Sequence, residues 1–241
     1  MNLIVDIGNT SAKLAIFKQD GLIYKTTCDS SNLVKEIGAL IKEYAIKRGI
    51  VSSVGVLPDN FSEVSELIPI ILLNHRTKIP FENAYKTPET LGVDRIALVS
   101  ACVKHYPKQN VLVIDAGTCI TYDFINDAAI YKGGAISPGV TMRYESLHNL
   151  TANLPLLKPK APKKVTGNTS KKAIHSGVVN GVIFEIEGVI KHYRKKNGVL
   201  TVILTGGDAK FLSKRLKNSI FANSNFLLEG LNFILEFNSC E

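Results

Sequence analysis

Leu3-Ile4-Val5-Asp6-Ile7-Gly8-Asn9-Thr10-Ser11-Ala12-Lys13-Leu14-Ala15-Ile16-Phe17 is the stretch from which the rest of the chain can be read. An apolar, β-branched run ends in an aspartate, Gly8-Asn9-Thr10 turns the chain, and Leu14 to Phe17 returns as a second strand. Gly8 reaches positive φ without a Cβ penalty, and Asn9 tolerates it. The turn is therefore expected to present backbone N–H groups, the hydroxyls of Thr10 and Ser11 and the ammonium of Lys13 beside the Asp6 carboxylate. Donors gathered in this way suit a magnesium-bound polyphosphate. Taken alone, the same residues would serve equally well in an ordinary hairpin turn.

A second copy decides between the two. Val111-Leu112-Val113-Ile114-Asp115-Ala116-Gly117-Thr118 repeats the order of apolar strand, Asp, any residue, Gly, then a hydroxyl or amide. Each copy runs into another strand, Leu14 to Phe17 and Ile120 to Ile125. Each then meets a turn, Asp20-Gly21 and Asn126-Asp127, and a third strand, Leu22 to Cys28 and Ala129 to Ile136. Repetition on this scale marks architecture more reliably than a short motif does. The chain is expected to be α/β, with two related domains, 1–110 and 111–241. Each would open with a β-meander in a mixed sheet flanked by helices, and two acid-bearing turns would face a nucleotide cleft between the domains.

The 241 residues suit two domains of ordinary size. A net charge of +8 suggests an anionic partner. Aromatic content of 7% without tryptophan shows no base-stacking pattern, which argues against nucleic acid and for a phosphorylated small molecule. Cys28, Cys102, Cys119 and Cys240 have no C-x-x-C spacing, and no two of the five histidines form an H-E-x-x-H pair, so a zinc site is not expected. The N-terminus reaches Asp6 after only a few apolar residues, unlike a signal peptide or anchor. No apolar run approaches the roughly 18 residues of a membrane helix. The expectation is a cytoplasmic chain with no membrane partner.

Apolar residues at 33, 34, 37, 40, 41 and 44 predict a helix, followed by a strand at Ile50 to Val54, a short helix around Ser62 to Leu67 and a strand at Ile70 to Leu73. Arg95 to Val103 reads as a largely apolar helix, which puts Asp94 at or just before its N-terminus. Asp94 could simply cap that helix. It could also accept a proton from a substrate hydroxyl while Arg95 holds an anionic group of the same substrate. Residues 154–172, with three prolines and six lysines, read as a solvated loop that could also close over an anion. Ala173, Gly177 and Gly181 lie four apart on a helix face that could meet a second subunit or pack internally. Thr205-Gly206-Gly207 after a strand could form the wall for an adenine or ribose.

With these residues assembled, the chain resembles the type III pantothenate kinases of bacterial coenzyme A synthesis. These belong to the superfamily of acetate kinase, sugar kinases, heat-shock protein 70 and actin. The resemblance rests on Asp6-Ile7-Gly8-Asn9-Thr10 with Lys13, Gly92-Val93-Asp94-Arg95, Asp115-Ala116-Gly117-Thr118, Gly133-Gly134 with Ser137-Pro138-Gly139, Thr169, and Thr205-Gly206-Gly207. It extends to Leu228-Glu229-Gly230-Leu231, essentially the whole chain. Gly-x-Asp-Arg between the two turns is its most specific part.

The resemblance implies that Asp6, Ile7, Gly8, Asn9, Thr10, Ser11, Ala12 and Lys13 bind the ATP phosphates, with Thr118 contributing. It makes Asp94 the base for the pantothenate hydroxyl, and lines the pantothenate pocket with Tyr85, Gly92, Val93, Asp94, Arg95 and Thr169. Asp115 would help bind a monovalent cation, K⁺ or NH₄⁺, besides Mg²⁺ near Asp6, and members are homodimers. Two other readings stand beside this one: a different kinase or ATPase of the same fold, and a non-catalytic transcription accessory protein.

Overall fold

The computed structural model describes residues 1–8, 11–55, 57–217 and 220–239. It divides into two compact units, one of Met1–Pro107, Ala129–Tyr131 and Asn225–Glu241, the other of Lys108–Ala128 and Lys132–Ser224. The first unit opens with the expected meander, β1 (Asn2–Ile7), β2 (Ala12–Lys18) and β3 (Gly21–Cys28). It continues through α1 (Leu33–Glu43), β4 (Arg48–Ser53), α2 (Ser62–Leu67), β5 (Ile70–Leu72), β6 (Glu82–Asn83) and α3 (Val93–His105). The sheet order is β3-β2-β1-β4-β5, antiparallel in the meander and parallel from β1 to β5. β1 is buried along its whole length. α1 lays Leu33, Ile37 and Leu40 into a core with Leu3, Val5, Ile7, Leu14 and Ile16.

The second unit repeats the plan with β7 (Val111–Ala116), β8 (Cys119–Ile125) and β9 (Ile130–Pro138), then α4 (Val140–Asn149). Next come α5 (Ser170–His175), a π-helical turn (Ser176–Asn180) and α6 (Gly181–Asn197), which run on as one helix. β10 (Thr201–Thr205), α7 (Ala209–Ser213) and β11 (Phe221–Ala222) follow. The second sheet has six strands in the order β6-β9-β8-β7-β10-β11, and its last five repeat the order of the first sheet. The repeat seen in the sequence is therefore a repeat of topology. Gly134 on β9 lies so near β8 that a Cβ there would come 1.5 Å from the carbonyl oxygen of Tyr122, so the paired glycines serve a close backbone approach.

The helix Ser170–Asn197 changes one expectation. Its helical path continues through Gly177, Gly181 and Gly188, so its 28 residues include a window long and apolar enough to cross a membrane, with mean hydropathy 1.3. Half of that window is buried within the protein. Val178, Val179, Val182, Ile183, Ile186 and Ile190 pack against Leu112, Ile114 and Val202, as in the core helix of a globular unit.

The chain closes with α8 (Phe226–Phe237), which folds with the first unit and not with the residues that precede it. The first unit runs to Pro107 and takes the chain back at Asn225. Two features explain the return. Gly230 lets α8 seat on α3, since a Cβ there would come 1.9 Å from the Ala97 carbonyl oxygen. A partly buried polar network then ties α8 to β1 and β4. The Asn2 amide donates to Asn232 at 2.9 Å and to Glu236 at 2.6 Å, and Arg48 donates to Glu236 at 2.8 Å.

Candidate active site

In the first unit Asp6 sits near the end of β1, in register with Lys13 on β2 and Ser52 on β4. Cross-strand partners project from the same face of a sheet, so the three side chains share one surface. The residue is only 6% exposed. Lys13 Nζ lies 3.3 Å from its Oδ2. Burial raises the Asp6 carboxyl above the usual carboxylate range; Lys13 opposes this and the negative charge of Asp94 adds to it. Ser52 also favours the Asp6 anion, although its hydroxyl makes no hydrogen bond of ordinary length and angle among the described residues.

The turn after Asp6 closes with Gly8 N–H donating to the Ser11 carbonyl at 3.0 Å. Asn9 and Thr10 lie outside the described residues. Ile7 and Ala12 are buried in the core, so any contribution they make to a ligand comes from the main chain.

α3 begins two residues earlier than the periodicity implies, which places Asp94 in its first turn with Gly92 as the N-cap. Asp94 Oδ1 accepts the Arg95 N–H at 2.9 Å. A Cβ on Gly92 would come 2.4 Å from that oxygen, so the glycine of Gly-x-Asp-Arg is what leaves the carboxylate its position. Val93 is half-buried in the same turn.

Arg95 is 95% buried, at 5% exposure. Its guanidinium donates to the Tyr131 hydroxyl at 2.8 Å and lies 5.6 Å from the centroid of the Tyr85 ring. Tyr85 and Tyr131 stack with centroids 6.1 Å apart. Tyr131 was not picked out from sequence. It belongs to the first unit through Ala129–Tyr131, where Ile130 and Tyr131 pair with Glu82 and Asn83 of β6. No spacing rule marks a two-residue strand of that kind.

The second unit carries Asp115 on β7 in the equivalent place, in register with Thr121 on β8 and Thr205 on β10. Gly206 has φ +92°, and a Cβ there would lie 2.3 Å from both Asp115 Oδ1 and the Ala116 carbonyl oxygen. The first glycine of the pair is thus taken up by packing on the Asp115 turn. Gly207 faces open space, with nothing within 4 Å of a Cβ.

Thr118 is exposed in the β7–β8 turn. Its carbonyl accepts the Gly139 N–H at 3.0 Å, and a Cβ on Gly139 would come 2.1 Å from the Gly117 carbonyl oxygen. Arg143 braces this junction by donating to the Pro138 carbonyl, Ser137 Oγ and Glu185, each within 2.8 Å. Tyr122 donates to the other Glu185 oxygen at 2.7 Å. Burial alone would raise the Glu185 carboxyl, but hydrogen bonds from Arg143, Tyr122 and Ser137 hold it below the usual range. This brace is assembled from residues too distant in sequence for spacing to reveal it.

Thr169 caps α5, its hydroxyl accepting the Lys172 N–H at 3.3 Å. The basic segment before it is tied down through its carbonyls. Arg215 donates to Pro162 at 3.0 Å and Ser176 donates to Val165. Ser176 and its partner Asn180 come from the π-helical turn.

The profile of the type III pantothenate kinases matches residues 2–192. The chain belongs to this family. A type III pantothenate kinase of Christiangramia forsetii is 49% identical over 243 residues and covers 100% of both chains. The family is one of kinases, and the chain is an enzyme of that class. Among solved structures, a Campylobacter jejuni protein assigned to the Baf transcriptional activators aligns with TM-score 0.66 and 22% identity over 98% of each chain. Glucokinase from an Antarctic psychrotroph aligns with TM-score 0.53 and 12% identity, again over 98% of each chain. At these identities the structural likenesses establish the actin-like kinase fold and nothing of substrate. The curated relative carries the functional name, and the resemblance drawn from the ordered motifs agrees with it.

Proposed function

We propose that this type III pantothenate kinase transfers the γ-phosphoryl group of ATP to the primary hydroxyl of pantothenate. The products are 4′-phosphopantothenate and ADP, in the first step of coenzyme A synthesis. The observation that carries the reading is that one unit holds both a buried Asp6 in contact with Lys13 and Asp94 in the first turn of α3, with Arg95 anchored one residue further on.

Asp94 serves as the base, taking the hydroxyl proton as the bond to phosphorus forms. Phosphoryl transfer passes through a loose transition state, so the proton leaves late and most of the catalysis is positioning and charge stabilisation. Lys13 and the backbone donors of the Gly8–Ser11 turn offset phosphate charge. Arg95, Tyr85, Gly92 and Val93 hold the pantothenate, with Arg95 directed at its carboxylate; Thr169 is assigned to the same substrate. Thr118 contributes to the phosphates, and Gly207 is the part of the glycine pair open to a nucleotide.

The residues fit the expected ions. Among the described residues no three His, Cys, Asp or Glu side chains gather into a metal cage. A desolvated carboxylate with a second one nearby suits Mg²⁺, which keeps its waters and shares phosphate oxygens instead of filling a protein cage. When bound at Asp6, Mg²⁺ would supply charge neutralisation for the phosphates. At Asp115 the carboxylate and the neighbouring threonine hydroxyls are hard oxygen donors suited to K⁺ or NH₄⁺.

We also infer a homodimer in the cytoplasm. A Cβ at Gly177, Gly181 or Gly188 would meet nothing within 4 Å, so packing among the described residues gives no reason for these glycines in a helix, where each costs stability. A second subunit would supply one. The test of the activity is ADP release with pantothenate against a panel of sugars and acetate, with and without K⁺. Turnover on a sugar or acetate in preference to pantothenate would overturn the assignment.

A further inference from the structure

Ser52 stands out among the described residues around Asp6 because its hydroxyl faces that carboxylate without closing a hydrogen bond of ordinary length and angle. It lies on β4 in register with Asp6, fully buried at 0% exposure. Among the described residues its Oγ is one of the buried side-chain atoms without a hydrogen-bond partner. Burying such a group without a partner is unfavourable, and alanine would fill the position without that cost. The preceding residues of β4, Ile50 and Val51, are apolar and buried, so the strand has no general need for a hydroxyl. The second unit repeats the device, with Thr121 and Thr205 beside Asp115 and Thr121 Oγ1 likewise buried without a partner.

Lys13 holds Asp6 Oδ2 from the β2 side. A carboxylate accepts several hydrogen bonds, and the β4 side of Asp6 is where Ser52 lies. We propose that Ser52 is a positioning residue for the cation at Asp6, its hydroxyl donating to the carboxylate once that group is drawn onto the ion, and so fixing which oxygen ligates. The inference rests on the assignment of Asp6 to Mg²⁺ made above. Groups that orient a metal ligand in this way typically change metal affinity by about 10–100-fold when removed.

The test compares the full chain with its Ser52→Ala, Ser52→Cys and Ser52→Thr variants. Mn²⁺ is titrated in the presence of ADP and followed by the loss of the free-ion electron paramagnetic resonance signal. Thermal melting without metal is recorded alongside. Ser52→Ala should melt at or above the parent temperature without metal, yet need about tenfold more Mn²⁺ or beyond. Ser52→Thr, which keeps the oxygen, should return to near the parent affinity. Ser52→Cys keeps the shape but has a weak donor, and decides the matter by the same criterion where the alanine variant does not fold. Parent-like Mn²⁺ binding in Ser52→Ala or Ser52→Cys would overturn the role of Ser52 while leaving the Asp6 assignment standing. Absence of nucleotide-dependent Mn²⁺ binding in the parent would remove both.

Discussion

Replacing Asp94 with asparagine separates its two possible roles, because the structure makes their magnitudes very different. Its structural contribution is small. Oδ1 accepts the Arg95 N–H at 2.9 Å, and an asparagine carbonyl can do the same. What is lost is a negative charge in the first turn of α3, worth about 0.3–1 kcal/mol at an exposed helix end. Part of that returns, because Asp94 is one of the charges that disfavour the buried Asp6 anion. For a chain of this size 1 kcal/mol moves the melting temperature by about 2–4 °C, so a drop no larger than that is expected. A general base contributes about 10²–10⁴-fold, or roughly 2.7–5.4 kcal/mol of barrier at 1.36 kcal/mol per decade. The assay is coupled ADP release with saturating pantothenate and ATP, paired with the thermal shift produced by Mg-ADP. The variant should fold, keep its nucleotide-induced shift and lose at least about a hundredfold in kcat. A kcat within about tenfold of the parent would leave no room for Asp94 as the base.

Asp6→Asn should uncouple stability from activity. Because burial raises the folded carboxyl above 3.8, the native state holds its proton where the unfolded chain has lost it. The contribution of Asp6 to stability therefore declines as pH rises from 3.8 through the folded value, and asparagine removes that decline. Urea midpoints across pH should show the variant gaining on the parent with rising pH, while its activity loses its normal Mg²⁺ response; parallel pH curves would contradict the burial argument. Gly206→Ala should lose both fold stability and activity, since the new methyl group meets Asp115 and Ala116 at a φ of +92°. Gly207→Ala should keep the parent melting temperature and weaken ATP binding, and a normal KM for ATP in that variant would exclude Gly207 from the nucleotide wall. Tyr131→Phe leaves the buried Arg95 short of one hydrogen bond, worth about 1–3 kcal/mol. It should raise the KM for pantothenate far more than that for ATP, and an equal change in both would argue against Arg95 as the pantothenate anchor.

The sheets were legible because their signal is local and repeated. The apolar runs into Asp6 and Asp115, each with a glycine two residues on, define a central strand and its first turn, and five strands of each sheet follow one order. The helix at 33–43 and the short helix at 62–67 were equally plain from apolar spacing. The placement of α8 was not legible. That depends on Gly230 meeting Ala97 and on Asn2, Arg48, Asn232 and Glu236 finding one another, contacts that no window of sequence contains. The candidate site divides in the same way. Asp6, Lys13 and Asp94 follow from motif and strand register, whereas Tyr131, Ser52 and the Arg143–Glu185–Tyr122 brace depend on pairing between distant strands and helices.

The repeat also explains how one scaffold could serve two different ions. Asp6 and Asp115 occupy the same place in equivalent sheets, each between an antiparallel and a parallel neighbour. On the parallel side both have a hydroxyl, Ser52 and Thr205. On the antiparallel side they diverge, with Lys13 facing Asp6 and Thr121 facing Asp115. A lysine at contact distance weakens the attraction of a lone carboxylate for a weakly bound cation. It matters much less where phosphates bring several negative charges of their own, and there a positive neighbour helps to hold them. The proposed assignments follow that difference, with Mg-ATP phosphates at the lysine-bearing turn and a monovalent ion at the threonine-bearing one. Exchanging the two partners tests it directly. Lys13→Thr should weaken ATP binding and leave K⁺ activation in place, whereas Thr121→Lys should abolish the K⁺ response by placing an ammonium beside Asp115. K⁺ activation that persisted in Thr121→Lys would show that the monovalent ion acts elsewhere.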